Sequence, residues 1–120
     1  MAKHKVKNSG VAFEYGDRTL IVPPLSVNQM KRFADKLVEH DSIQMFSEGP
    51  DGLKRADFSK VAERVGLLTG IVAEAVRRNY PDFTDDEAGE FVTAYNANTL
   101  LSVVVGTDRN SPQVREVGED

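Results

Sequence analysis

The sequence predicts a small α+β domain, mainly α-helical, in which an N-terminal β-hairpin packs on three to four helices. Two strand-like runs, residues 11–15 and 18–22, are joined by Gly16-Asp17, a two-residue connection that suits a tight hairpin. From residue 26 onward, apolar residues instead recur every three or four positions, which is the period of an amphipathic helix. Because an isolated hairpin is only marginally stable in water, it has to pack on these helices or pair with another chain.

The first two helices are predicted by their apolar stripes and, for the first, by its cap. Ser26 with Gln29 three residues later forms a capping-box pattern, which opens a helix that runs to about His40. A second helix is predicted from about Asp57 to Asn79, because one stripe continues through that stretch. The stripe is expected to face the core and consists of Phe58, Val61, Val65, Leu68, Val72 and Ala75.

A corner between helices is predicted at residues 77–87. Pro81 cannot donate to the preceding helix, and it pushes Tyr80 out of helical geometry. Thr84 with Glu87 repeats the capping-box pattern, so a third helix is expected from residue 84 to about residue 95. After an interruption at 96–98, residues 99–105 are predicted as a short helix, although their β-branched members would also allow a strand.

The remaining segments are predicted to lack regular structure. Residues 1–9 are basic and are expected to form a flexible leader, followed by a single α+β domain over 10–106. Residues 41–53 contain Gly, Pro and Asp in close succession and are expected to form a loop. Residues 107–120 are polar and are expected to form a disordered tail.

The composition argues against several kinds of site and function. The chain has no cysteine, which rules out disulfides, thiolate metal sites and a cysteine nucleophile. A formal net charge of −4 argues against general nucleic-acid binding. No apolar run is long enough to span a membrane, and the N-terminus lacks an apolar signal segment, so a cytoplasmic protein is expected.

No catalytic, cofactor-binding or metal-binding residues are predicted. Near neutral pH only His4 and His40 could transfer protons, and the helix dipole accounts for a histidine at the end of a helix. The acidic residues at 82–90 lack the spacing and the central glycine of a calcium loop. A protein without enzymatic activity is therefore expected.

A DNA-binding helix-turn-helix is the alternative interpretation of residues 58–78. Ala62, Gly66 and Val72 match the small residue, the turn glycine and the apolar anchor of that motif. The second helix would be poor in side chains that read bases, since Arg77 and Arg78 come only at its end. A single helix that tolerates Gly66 remains the other possibility.

One segment resembles a known family. Its residues are Ala75-Val76-Arg77-Arg78-Asn79-Tyr80-Pro81-Asp82-Phe83-Thr84-Asp85-Asp86-Glu87. This pattern is similar to that of tail assembly chaperone-like proteins of long-tailed phages and prophages. In that family an alanine- and leucine-rich helix ends in arginines, followed by Asn-Tyr-Pro-Asp, a hydrophobic residue, threonine and acids. The strand–proline–helix opening at 22–33 and the apolar stretch at 98–106 are also similar to the family.

The resemblance implies a non-enzymatic protein that acts in the cytoplasm of the bacterial host. Such a protein would coat the tape-measure protein, recruit tail-tube subunits and need no cofactor. Basic residues concentrate in 54–78 and acidic ones in 79–108, a polarity that could orient a homo-oligomer or a partner. Two differently charged solvated faces would explain the same pattern.

Seven residues are the candidate partner contacts, in the corner and in the last apolar segment. They are Arg77, Arg78, Tyr80, Phe83, Leu100, Leu101 and Val104. The unpaired edge of the hairpin is a further candidate surface. The competing interpretation is that these apolar side chains complete the protein's own core.

Overall fold

The computed structural model describes residues 3–118, which contain a three-stranded sheet, a small two-stranded hairpin and four helices. The segments are β1 (Lys3–Tyr15), β2 (Arg18–Val22), α1 (Val27–Ser42), β3 (Phe46–Glu48), β4 (Lys54–Ala56), α2 (Phe58–Val76), α3 (Asp85–Phe91), α4 (Ala97–Val104) and β5 (Val114–Gly118). The predicted fold class, α+β and mainly α, is confirmed.

The predicted N-terminal hairpin is present. β1 and β2 pair antiparallel, with Val11 opposite Val22 and Tyr15 opposite Arg18. Gly16 in the turn has φ 64°, a conformation that glycine adopts without the steric penalty of a side chain.

The expectations of a flexible leader and a disordered tail were wrong for the described residues. β1 already begins at Lys3, and its first half pairs antiparallel with β5, so the sheet has the order β2-β1-β5. The folded unit therefore extends beyond 10–106, while residues 1–2 and 119–120 lie outside the described part of the chain. Strands that pair across more than a hundred positions leave no signature within a local stretch of sequence.

The core lies where β2, the second half of α2, α3 and α4 meet. Its buried residues include Leu20, Val22, Leu68, Ile71, Val72, Ala75, Val76, Phe91, Leu100 and Val104. Phe91 packs edge-to-face against Phe13 and Phe83, with ring centroids 6.0 and 6.2 Å apart, a favoured geometry for aromatic pairs. We call this part of the molecule the body.

Both predicted capping boxes are present, at the starts of α1 and α3. The helix expected from residue 84 to about residue 95 ends earlier, at Phe91, and the predicted short helix is confirmed as α4. The expected loop over 41–53 was wrong in part, because α1 continues to Ser42 and residues 46–56 contain the β3–β4 hairpin. Its strands of three residues are too short to show a period in the sequence.

Residues 58–76 form one uninterrupted helix. Gly66 lies inside α2, and it is not among the glycines with positive φ. The helix-turn-helix arrangement with a turn at Gly66 was therefore wrong as a prediction of structure, because a glycine inside a helix costs only about 1 kcal/mol relative to alanine.

Candidate functional site

The side chains of the corner, which were predicted to contact a partner, mostly bind other parts of the same molecule. Asn79 holds the sheet to the end of α2 through three hydrogen bonds of its side-chain amide. Its Oδ1 accepts from the Asn8 backbone N–H (2.8 Å), and its Nδ2 donates to the carbonyl oxygens of Asn8 (2.9 Å) and Ile21 (3.0 Å). The Tyr80 hydroxyl accepts from the Ile21 N–H at 2.9 Å. Both backbone groups of Ile21 are thus occupied at the outer edge of β2, where strand pairing would otherwise be open.

Arg78 extends the same polar junction. Its guanidinium donates to the Pro24 carbonyl oxygen and to Asn8 Oδ1, and Asn8 Nδ2 donates back to the Arg78 carbonyl oxygen at 3.0 Å. The last contact satisfies a carbonyl at the C-terminal end of α2, which has no partner within the helix. Arg78 therefore joins α2 to both ends of the hairpin.

Arg77 ties α2 to α3. Its guanidinium donates to the Phe83 carbonyl oxygen (2.7 Å), Glu74 Oε1 (3.0 Å) and Asp85 Oδ1 (2.7 Å). The hydrogen bond with Asp85 raises the pKa of Arg77 above its ordinary value, so its charge is fixed. A guanidinium with three internal partners has little capacity left for a client.

The predicted apolar contacts are mostly core residues. Phe83, Leu100 and Val104 are buried, and Leu101 is half-buried against the core. In this conformation the seven predicted residues do not form a common exposed surface. The competing interpretation, that they complete the core, holds for these three side chains.

Arg18 is a further cation at the corner. Its guanidinium lies over the rings of Tyr15 and Tyr80, 5.9 and 5.8 Å from their centroids, and 3.7 Å from Glu87 Oε2. The shallow concavity beside it is also lined by Pro81, Asp82 and Phe83. Since Glu87 already balances the cation, we assign no ligand to this concavity.

A different region exposes the apolar side chains of the molecule. We call residues 27–65, comprising α1, the β3–β4 hairpin and the first half of α2, the arm. Five large apolar side chains of the arm are strongly exposed, from 57 % for Phe46 to 80 % for Phe58, with Leu53, Val38 and Val27 between them. We call these five exposed side chains together the apolar arm surface, whereas the neighbouring Leu37 and Val65 are half-buried and pack against the core.

Polar contacts hold the parts of this surface together. Arg64 of α2 donates to the His40 carbonyl oxygen at 3.2 Å and to Met45 Sδ at 3.5 Å, so α2 touches both the end of α1 and the start of the hairpin. The Asp57 N–H donates to the Met45 carbonyl oxygen at 2.8 Å. Phe46 and Phe58 each follow one of these two bonded residues directly in the chain.

The hairpin is also stabilised at its tip by charge rather than by burial. Arg55 donates to Asp51 from its two terminal guanidinium nitrogens, at 3.2 and 2.6 Å. This hydrogen bonding, with the Leu53 N–H, lowers the pKa of Asp51 below its ordinary value. Because both side chains are about half exposed, this ion pair adds little to the backbone pairing of β3 with β4.

Sequence reasoning missed the exposed apolar residues of the arm. Phe58 was assigned to a stripe that faces the core, and Phe46 and Leu53 fell in an expected loop. No local signal distinguished these residues from core residues, because exposure depends on which elements pack against them.

Two further classes of site were sought in the described residues. Residues 3–118 contain no group of three or more His, Asp or Glu side chains placed to hold a metal ion. Within the same residues, none of the helices is long and apolar enough to cross a membrane.

Compared with known protein families, with curated proteins and with solved structures, the chain shows no match.

Proposed function

We propose that this protein is a non-enzymatic assembly chaperone of a phage or prophage tail, which binds other tail proteins in the bacterial cytoplasm. The client would be the tape-measure protein, and tail-tube subunits would be recruited to the complex. The resemblance at residues 75–87 suggests the process, and the apolar arm surface is the observation that supports binding.

The arm suits a helical client for a physical reason. α1 and α2 run antiparallel, since the start of α1 is hydrogen-bonded to the end of α2 and its end to the first half of α2, and both helices carry exposed apolar side chains. An amphipathic helix could cover such side chains with its own apolar face, at intervals of three and four residues. Large exposed apolar patches on soluble proteins commonly mark interaction sites.

Under this proposal the client binds the arm rather than the corner. Arg77 and Arg78 would hold the corner rather than meet the client, and Phe83, Leu100 and Val104 would support the body. Leu101 and Tyr80, each half-buried, remain partly accessible at the surface. Phe58 becomes the central expected contact.

Co-expression tests the proposal. A tape-measure protein encoded in the same genome should stay soluble and co-purify with this chain, and should become insoluble without it. Phe58→Glu should abolish the complex, because a carboxylate would be buried against an apolar client. Tyr95→Glu is the matched control, since Tyr95 is 99 % exposed and lies outside the arm.

Two results would contradict the proposal. Failure to obtain any complex, with the client still insoluble, would count against the chaperone function itself. A complex that survives Phe58→Glu but is lost with Tyr95→Glu would place the contact near α3 and α4 instead of on the arm.

A further inference from the structure

We infer that the groove between α1 and α2 binds a basic amphipathic helix of another protein. The groove is an open concavity of about 380 Å³, lined by three residues of α1, five of α2 and one of α3. We call it the α1–α2 groove. The inference goes beyond the proposed function, because it concerns a surface other than the apolar arm surface.

The five residues of α2 that line the groove lie along one side of the helix. At 100° per residue they fall within about a third of its circumference. They are Glu63, Gly66, Leu67, Gly70 and Glu74. From the first to the last of them α2 rises about 16 Å, which equals about three turns of a partner helix.

Two glycines leave the middle of the groove open. A Cβ placed on Gly66 or on Gly70 would meet no atom within 4 Å. Both glycines lie inside α2 without positive φ, so the backbone conformation does not require glycine at either position. Because side chains at a contact set the distance between packed helices, a second helix can approach α2 closely here. Phe33 and Leu67 offer apolar contacts beside the glycines.

The charges around the groove indicate what kind of helix fits. Its lining contains four acidic residues, Glu39, Glu63, Glu74 and Asp85, and one basic residue, Lys36. Cations beside the groove pair with three of these carboxylates, but the side chain of Asp85 is still 86 % exposed and that of Glu63 is 50 % exposed. A helix with Lys or Arg on both sides of its apolar face therefore complements the groove.

The same charges disfavour a second copy of this chain as the occupant. In a two-fold contact the lining of one groove would face the lining of the other, so like charges would meet. The occupant is therefore a segment of another protein, with basic residues that the groove itself lacks.

The groove and the exposed apolar side chains of the arm lie on different faces of the two helices. At 100° per residue, Val38 lies about 160° around α1 from Lys36, and Phe58 lies about 120° around α2 from Gly70. Substitutions can therefore alter one surface and leave the other intact.

A synthetic peptide tests the inference. It has about 20 residues, because shorter isolated helices are only marginally stable in water. Leu recurs every three or four positions in an alanine background, with Lys on both sides of the Leu face, and a matched peptide carries Glu in place of Lys. Fluorescence anisotropy with the full chain should show binding of the Lys peptide that weakens as salt is added. The Glu peptide should not bind.

Gly66→Leu should weaken binding of the Lys peptide about tenfold or more, since the new side chain would fill the space that the partner helix needs. The variant should keep its fold by circular dichroism, because leucine favours a helix more than glycine does. Gly89→Leu is the matched control, since Gly89 also lies in a helix with nothing within 4 Å of its Cβ but does not line the groove. Glu63→Lys should also weaken binding, through the reversed charge.

Three results would overturn the inference. They are a Lys peptide that does not bind, a Glu peptide that binds equally well, and equal effects of Gly66→Leu and Gly89→Leu on the Lys peptide. Phe58→Ala separates this inference from the proposed function, because it should weaken capture of the tape-measure protein and leave peptide binding unchanged. Loss of peptide binding in Phe58→Ala would place the peptide on the apolar arm surface and contradict the groove. Peptide binding without capture of a tape-measure protein would support the groove and contradict the chaperone function.

Discussion

The two halves of α2 carry the same apolar period but have different surroundings. In the second half, Leu68, Val72 and Ala75 are buried in the body. In the first half, Phe58 is exposed and Val61 and Val65 are half-buried. A periodic stripe therefore shows which face of a helix is apolar, but it does not show whether another element covers that face.

The difference arises from what packs on each half. The body has β2, α3 and α4 around the second half of α2, whereas the arm offers α1 and a short hairpin. α1 buries His40 but none of its apolar residues fully. Helix stability comes mostly from packing an apolar face, so the arm should contribute much less to folding than the body. Substitutions at comparable positions can measure that difference.

Gly10→Ala should have the greatest effect, because it acts where the strands of the body meet. A Cβ at this position would lie 2.2 Å from the Val22 carbonyl oxygen and 2.7 Å from the Pro23 nitrogen. Both are backbone atoms that cannot rotate away, so we expect a loss of about 3 kcal/mol or more in the free energy of unfolding. Urea denaturation followed by circular dichroism measures it. Gly89→Ala is the control, since nothing lies within 4 Å of its Cβ, and equal effects of the two variants would refute the expected close approach.

A comparison of Leu100→Ala with Val38→Ala measures how much packing in the body and in the arm contributes to stability. Leu100 is 0 % exposed in the body, and its truncation should leave a cavity that costs about 2–5 kcal/mol. Val38 is 69 % exposed on the arm, and its truncation should change the stability of the monomer by no more than about 0.5 kcal/mol. Thermal and urea unfolding at low protein concentration, where self-association is minimal, provide the comparison. A cost above about 2 kcal/mol for Val38→Ala would mean that the arm is packed in solution.

Asn79→Ala tests whether the corner holds the sheet. The variant loses three hydrogen bonds and leaves backbone groups of Asn8 and Ile21 without their partner. We expect a loss of about 1–3 kcal/mol, the cost of unsatisfied polar groups that are partly buried. Asn28→Ala, on the exposed side of α1, should be neutral or slightly stabilising. Hydrogen exchange at the Ile21 amide would report the local opening, and unchanged protection there would contradict this role for Asn79.

Local signals predicted much of the fold. Gly16-Asp17 identified the hairpin, and the capping boxes at Ser26 and Thr84 placed the starts of α1 and α3 correctly. Each of these features depends on residues within four positions of one another, so a single sequence contains the information. The pairing of Lys3 with Gly118 does not have this property, which is why both chain ends were predicted wrongly.

The candidate site was less predictable than the fold, because exposure is a property of the whole structure. Arg77 and Arg78 had the composition of a binding surface, but their partners Phe83 and Pro24 could be identified only after folding. Phe58 had the period of a core residue and lacks a covering element. In both cases the sequence gives the type of residue, whereas the residues that surround it are determined by the folded structure.

Gly66→Ala should be slightly stabilising, in contrast to Gly10→Ala, Leu100→Ala and Asn79→Ala. Gly66 lies in the middle of α2 with nothing within 4 Å of its Cβ, so alanine removes backbone entropy from the unfolded chain without a clash. We expect a gain of about 0.5–1 kcal/mol in the free energy of unfolding. Gly16→Ala, at φ 64° in the hairpin turn, should be destabilising and serves as the contrast. A destabilising Gly66→Ala would indicate a left-handed turn at this position and would restore the helix-turn-helix interpretation. A stabilising one supports a continuous α2, the helix that carries the core of the body at one end and Phe58 at the other.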